Sequence, residues 1–217
     1  MAPAGAHRYS MKTKNGLSVL LASASPRRKA LLKALGASFD IWAAQAEEID
    51  EGESPVSIVI GNAERKCKAA AEAHPCHDLI ISADTLVFLE GAVLSKPADL
   101  DEARSMLRRL SGNTHQVITG LAVYHRASEQ LITGSETTGV RFRELSEEEI
   151  NCFVETVRPL DRAGAYTVDG PGSLLVAGYD GCYQNVLGLP LVRLDLLLRK
   201  VNCSLFQWIN PKEARFL

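Results

Sequence analysis

Leu17-Ser-Val-Leu-Leu-Ala-Ser-Ala-Ser-Pro-Arg-Arg28 sets the fold. The run from Ser18 to Ser23 is short and apolar, with the length of a buried strand rather than of a helix. It turns at once into a helix. Ser25 is an N-cap, Pro26 suits the first helical position, and Leu31, Leu32 and Leu35 make one apolar face before Gly36 ends it. A strand feeding straight into a helix is the opening of an α/β unit.

The chain then repeats that move. Phe39 to Ala43 reads as a second strand, followed by an acidic loop with Glu47, Glu48, Asp50, Glu51 and Glu53. Ser54-Pro55 starts a second helix whose apolar stripe is Val56, Val59, Ile60, Ala63 and Cys67. Leu79-Ile-Ile-Ser-Ala83 is a continuous apolar run that stops at Asp84, the mark of a central strand buried on both faces. Thr85 to Leu89 continues extended, turns at Glu90-Gly91 and returns to Lys96-Pro97. Asp99 and Glu102 form a capping box for a helix to Leu110. Thr114 to His125 and Leu131 to Phe142 predict a long hairpin. Ser146 with Glu149 caps a helix on Ile150, Phe153, Val154 and Val157. Gly164 to Gly188 reads as a glycine-rich β segment, and Pro190 opens a last helix.

The expected architecture is therefore α/β: an elongated mixed β-sheet flanked by helices, in two lobes with a cleft between them. Residues 17–201 form the domain. Residues 1–16 are expected to be a dispensable leader, leaving Met11 open as the biological start, and residues 202–217 carry no strong signal.

Composition bounds the function. With 217 residues, 46% hydrophobic and 23% charged, the chain is an ordinary globular one. A net charge of −2 argues against a general nucleic-acid binder. No apolar run approaches the roughly 18 residues that a membrane span needs. The leader has Arg8, Lys12 and Lys14 but no apolar stretch of a secretion signal. The five cysteines, Cys67, Cys76, Cys152, Cys182 and Cys203, are odd in number, scattered and without a CxxC pair, which fits reduced thiols in the cytoplasm. His74-Pro-Cys-His77 lacks the second ligand pair of a zinc site and reads as a solvated loop.

Ser23-Ala-Ser-Pro-Arg-Arg28 carries the strongest chemical signal. A helix start offers unpaired N–H groups and the positive end of a dipole, and cations there call for an anion. Surface arginines on a well-capped helix are the alternative. Asp84, at the expected end of a buried strand, can activate water, hold a metal or cap a turn. Lys66, Lys96, Glu47 and Glu48 are each unremarkable alone. Neither a P-loop nor a GxSxG elbow occurs.

Taken together, Leu21-Ala-Ser-Ala-Ser-Pro-Arg-Arg28, Lys66, Ala83-Asp-Thr85, Lys96-Pro97, Leu110-Ser-Gly112, Val117-Ile-Thr-Gly120, Leu160-Asp-Arg-Ala-Gly-Ala-Tyr166 and Gly188-Leu-Pro-Leu191 resemble the Maf family of nucleoside triphosphate pyrophosphatases. The resemblance runs from about Leu17 to Val201. It implies cleavage of nucleoside triphosphates between the α and β phosphates, a divalent cation (Mg²⁺ or Mn²⁺), an α/β fold with a deep cleft, and a homodimer. It also implies that Asp84 is the proton acceptor, that Ser23, Arg28, Lys66 and Lys96 handle phosphate, and that Arg27, Thr85 and Asp169 fall where base preference is set. Arg162 stands where the family often has Lys. Asp169 stands where the branch selective for dTTP and UTP has Gln, so a pyrimidine preference relaxed by Asp169 is expected.

The residue types suit that chemistry. A triphosphate carries about four negative charges near neutral pH, so it needs a cationic pocket. Cations aimed at the leaving pyrophosphate lower the barrier. Asp84 would deprotonate water, and Glu47 or Glu48 would join it at a Mg²⁺ site. The rival functions are a non-catalytic nucleotide-binding regulator of cell division and a phosphatase releasing orthophosphate.

Overall fold

Seven strands form one mixed sheet in the computed structural model, which describes residue 13, residues 16–43, residue 49 and residues 52–215. In chain order the elements are β1 (Val19–Ala22), α1 (Pro26–Ala34), β2 (Asp40–Trp42), α2 (Pro55–Ala73), β3 (Leu79–Leu89), β4 (Ala92–Leu94), α3 (Leu100–Leu110), β5 (Thr114–His125), β6 (Gln130–Phe142), α4 (Glu147–Val157), β7 (Val176–Asp180), the single turn α5 (Tyr183–Val186) and α6 (Leu191–Arg199). The sheet order is β2-β1-β3-β5-β6-β7, with β4 paired to β3. The strands β2, β1 and β3 run parallel, as βα units require, and the later strands pair antiparallel.

The two faces of β3 belong to different layers. Leu79, Ile81, Ala83 and Val87 enter the main core with Leu31 and Leu32 of α1, Leu107 of α3, Ile150 of α4 and Leu194 of α6. Ile80 faces α2 through Ala63, Cys67 and Ala70, and Leu86 meets Ile58 and Val59 of that helix. Each such buried side chain contributes about 1.5–3 kcal/mol relative to exposure. Burial pushes the Cys67 thiol up to about 12, so it is an inert packing group. Among the described residues no helix is long and apolar enough to cross a membrane.

Most helix starts follow the residues that announce them. The Ser25 hydroxyl accepts from the Arg28 N–H, and Ser146 with Glu149 forms a reciprocal box at α4. At α3 the box is displaced: Asp99 accepts from Asp101 and Glu102 N–H, but the Glu102 carboxylate reaches back to Ala98 N.

Four sequence expectations are corrected. The strand does not end at Asp84. It continues to Leu89 because residues 79–88 pair with β5 and residues 87–89 with β4, so Asp84 sits in mid-strand opposite Gly120. The inward face of α2 is Ile58, Val59, Asn62, Ala63, Lys66, Cys67 and Ala70, rotated from the stripe read in sequence, and Val56 is exposed. Two polar side chains point inward there because a carboxylate awaits them. The stretch 164–188 holds one strand only, β7; Ala163–Ala165 and Gly170–Leu175 are 3₁₀ turns. The His74–His77 loop is not solvated throughout: His77 is buried, with Nε2 3.0 Å from Asp40 Oδ2.

Beyond Asn202, where the sequence signal is weak, the chain packs against the core. Trp208 is 2% exposed and joins the main cluster with Cys203 and Leu205. Asp195 on α6 accepts from Ser204 Oγ and Leu205 N. Burial opposes its ionisation, but hydrogen bonds from Arg199, Ser204 and Leu205 outweigh that and hold its carboxyl below the usual range.

Candidate active site

The sheet has a gap along one edge of β3. Strand β1 pairs with β3 only as far as Ser82, and β4 takes over at Val87. Between them, residues 83–86 have a strand neighbour on the β5 side alone. A pocket of about 350 Å³ lies at this gap. Its lining includes Ser23 to Arg28 at the start of α1, Lys66 of α2, Asp84 and Thr85 of β3, Lys96 after β4, and Arg162 and Tyr166 from the loop after α4. One end is thus a helix N-terminus, with the anion preference that such an end has.

Asp84 is 6% exposed. Its Oδ1 accepts from Lys66 Nζ at 2.7 Å and its Oδ2 from Asn62 Nδ2 at 3.1 Å. The strand supplies a rigid base and the helix supplies both donors. Gly120 makes this approach possible: a Cβ there would lie 2.3 Å from the Val59 carbonyl carbon and oxygen. Any larger residue at position 120 would push α2, and with it Asn62 and Lys66, away from β3.

Arg28 is locked from three sides. Nε donates to Gly188 O at 2.7 Å, Nη1 to Ser23 Oγ at 3.1 Å and Nη2 to Thr85 Oγ1 at 2.9 Å. Thr85 Oγ1 lies 3.0 Å from Thr119 Oγ1, which in turn donates to Asn185 O. Gly188 adopts φ +92°, and a Cβ there would lie 3.2 Å from Thr85 Oγ1 and 3.3 Å from Arg28 Nε. Ser23 and Arg28, from one sequence signal, and Thr85, from another, therefore form one network.

The part of the lining formed by Arg27 and the loop after α4 is held less tightly. Burial lowers the Arg27 pKa and the nearby Arg162 charge lowers it further, while Asp169 and Asp161 act the other way. Arg162 Nε is buried without a hydrogen-bond partner; its nearest carboxylate oxygen is Asp161 Oδ1, at 3.5 Å. Two guanidiniums that repel each other in one pocket lining favour an anion beside them. Tyr166, in the same lining, is buried with its hydroxyl 2.7 Å from His115 Nε2. Burial pushes His115 down to about 4, so the imidazole is neutral at pH 7, and burial raises the Tyr166 phenol.

The structure thus brings Ser23, Arg27, Arg28, Lys66, Asp84, Thr85 and Lys96 to one pocket. Asp169 is exposed and outside the lining, and it accepts a hydrogen bond from Thr167 Oγ1. Glu47 and Glu48 lie outside the described residues. Among the described residues no group of three or more His, Cys, Asp or Glu side chains could hold a metal ion. Sequence reasoning missed Asn62, and it singled out Arg162 only as a departure from a pattern. For Asn62 a signal existed: it precedes Lys66 by one helical turn, so a helix that buries one presents the other beside it.

A carboxylate with two donors, facing several cations and a helix start, suits attack by water on a polyanion. A family model described as Maf-like protein matches residues 18–201. The chain is similar to the dTTP/UTP pyrophosphatase of Pelotomaculum thermopropionicum, 47% identical over 184 residues that cover 84% of this chain and 95% of the relative. It is 41% identical to that of Caldicellulosiruptor bescii over 193 residues, 87% and 97% of the two chains, and 45% identical to that of Bacillus cereus (strain B4264) over 177 residues, 81% and 91%.

Proposed function

The chain belongs to the family of Maf-like proteins, and on that footing we propose that it hydrolyses nucleoside triphosphates to the monophosphate and pyrophosphate, with a preference for dTTP and UTP. It is a hydrolase acting on acid anhydrides. The observation that carries this reading is the buried Asp84 in the wall of a pocket that also presents Arg27, Arg28, Lys66, Lys96 and Arg162.

The triphosphate lies in the pocket, which serves as the nucleotide cleft expected from the sequence. The N–H groups at the start of α1, with Ser23 and Arg28, hold one part of the phosphate chain. Lys66 and Lys96 face another part, and Arg27 and Arg162 take the phosphate charge that relieves their mutual repulsion. Asp84 accepts the proton of a water aligned on the α-phosphorus, and the oxygen between the α and β phosphorus leaves with pyrophosphate. Negative charge grows on that leaving group, so the lysines and arginines bind the transition state more tightly than the ground state.

A divalent cation fits one side of this site. Two hydrogen bonds leave the Asp84 carboxylate with acceptor capacity, since an ionised carboxylate offers about four lone-pair positions. Magnesium characteristically takes one or two carboxylates together with substrate phosphates and water. Asp84 would hold the ion, with Glu47 or Glu48 as the second carboxylate. When bound, the ion neutralises phosphate charge and polarises the bond that breaks. The homodimer and the cytoplasmic location expected from the sequence belong to this reading as well.

The deciding experiment incubates the protein with UTP, dTTP and the other common nucleoside triphosphates, with Mg²⁺ or Mn²⁺, and identifies the products. Pyrophosphate with UMP or dTMP, abolished by Asp84→Asn, is the expected result. Orthophosphate, or no product with intact nucleotide binding, would overturn the reading. Isothermal titration of Mn²⁺ into wild type and Asp84→Asn checks the metal independently of turnover.

A further inference from the structure

Asn62 is 2% exposed, and at that depth an unpaired amide group is costly. Its Oδ1 accepts from Ile49 N and from Arg65 Nη1, both at 2.9 Å, and its Nδ2 donates to Ile49 O at 2.9 Å and to Asp84 Oδ2 at 3.1 Å. These bonds fix which way the amide points. Rotated by half a turn, its oxygen would face the Ile49 carbonyl and the Asp84 carboxylate, two acceptors, and its nitrogen would face two donors. The amide therefore presents an N–H to Asp84 in the only orientation its surroundings permit.

That N–H is well placed to orient the carboxylate. Lys66 holds Oδ1 and Asn62 holds Oδ2, so rotation of the carboxyl group about its bond to Cβ would break a hydrogen bond on either side. Lys66 adds charge; Asn62 adds direction without charge. Both stand on the same face of α2, one turn apart, and that helix is seated against the sheet at Gly120. The donor pair is therefore as rigid as the helix-to-sheet packing itself.

We infer that Asn62 is a positioning residue for this reaction: it holds the plane of the Asp84 carboxylate so that its remaining lone pairs meet the attacking water. The inference rests on the pyrophosphatase reading above. It differs from a purely structural role in its consequences. Losing the orientation slows the chemical step and leaves the grip on the nucleotide intact, because Asn62 is outside the pocket lining.

The test is a double-mutant cycle on kcat and KM for UTP, with melting temperature recorded for every variant. Asn62→Ala should lower kcat by about 10- to 100-fold, the range for a hydrogen bond to a charged group, with KM within about threefold. In an Asp84→Ala background the same substitution should lower the residual kcat by less than about twofold, since the group it acts through is gone. Asn62→Asp keeps the shape and the acceptor for Ile49 N and Arg65, and should lose at least as much kcat as Asn62→Ala. It serves as the reporter if the alanine variant does not fold. A kcat unchanged in the folded variant, or an equal loss in both backgrounds, overturns the inference. If wild type releases no pyrophosphate, the functional reading itself has failed. If wild type is active, Asp84→Asn is not, and Asn62→Ala is fully active, only this inference has failed.

Discussion

The two walls of the pocket are built differently. On the α2–β3 wall, Asp84 receives donors from Asn62 and Lys66, all of them on long regular elements and nearly inaccessible to solvent. On the wall from the loop after α4, Asp161 is exposed, Arg162 Nε has no hydrogen-bond partner, and the backbone runs through a 3₁₀ turn. The first wall spends its polar groups on one another; the second leaves charge available. Proton transfer tolerates little positional error, whereas charge compensation of a polyphosphate acts at longer range. The division matches the general one between rigid scaffold elements and adaptable loops.

The sharpest way to break this comparison is to disarm the first wall. Asp84→Asn keeps the shape of the side chain and removes its basicity, so kcat should fall about 10²- to 10⁴-fold. Nucleotide binding should persist. A loss below about threefold would remove Asp84 from the reaction, because it falls far short of the range for a general base.

Acid should weaken the packing beside the loop wall. His115 supports Tyr166 under that loop, and burial holds its pKa down near 4, below the ordinary value of 6.5. The unfolded chain therefore binds a proton at this residue before the folded one does. Its contribution to stability is complete above pH 6.5 and is lost as the pH falls toward 4, by roughly 3 kcal/mol at ~1.4 kcal/mol per pH unit. Chemical denaturation of wild type and His115→Gln across that interval measures it. The difference in stability between them should shrink as the pH falls; a constant difference would mean that His115 titrates normally in the fold.

Removing single cations tests whether the pocket grips the phosphate chain. Arg28→Ala, Lys66→Ala and Lys96→Ala should each cost roughly 1.5–3 kcal/mol in kcat/KM for UTP if the charged hydrogen bond is made in the transition state. Lys66→Ala should be the most harmful to stability as well, since it leaves the Asp84 carboxylate without its ionic partner in a buried site. Unchanged kcat/KM in all three would dissolve the pocket as an active site.

How much of this was visible in the sequence depended on whether a residue's role was local. Ser25-Pro26, Ser146 with Glu149, and the apolar run into Asp84 each announce themselves within a few positions, because caps and strands are set by near neighbours. The Arg28, Thr85 and Gly188 network did not, since its members are brought together only by the β3 register and the α6 approach. The continuation of β3 past Asp84 was hidden for a related reason: a charge in mid-strand is affordable only when a partner helix supplies donors, and the partners lie on α2. Arg162 was seen as a deviation from a pattern, although its physical distinction is a buried nitrogen without a partner. Trp208 lies in a tail that has no periodicity to reveal where it docks.

The smallest expected effect concerns the base. From the residue type alone, Asp169→Gln should raise kcat/KM for UTP and dTTP relative to GTP, since an amide can both accept from and donate to the edge of uracil, whereas a carboxylate only accepts. The geometry argues for less. Asp169 is exposed, is held by Thr167 Oγ1 and does not line the pocket. Its reach into the site is electrostatic: it favours the charge on Arg27, which Arg162 opposes. In the reading proposed above, that influence bears on the phosphate end and is common to every nucleotide, so it cancels from a ratio of two bases. Asp169→Gln should therefore change the UTP to GTP ratio by no more than about twofold, the scale of the ~0.5 kcal/mol usual for surface substitutions. It should lower kcat/KM for neither base by much more than that, provided Arg27 stays charged. A rise of tenfold or more in the ratio, ~1.4 kcal/mol of discrimination, would put residue 169 in contact with the base and make the loop wall the seat of specificity.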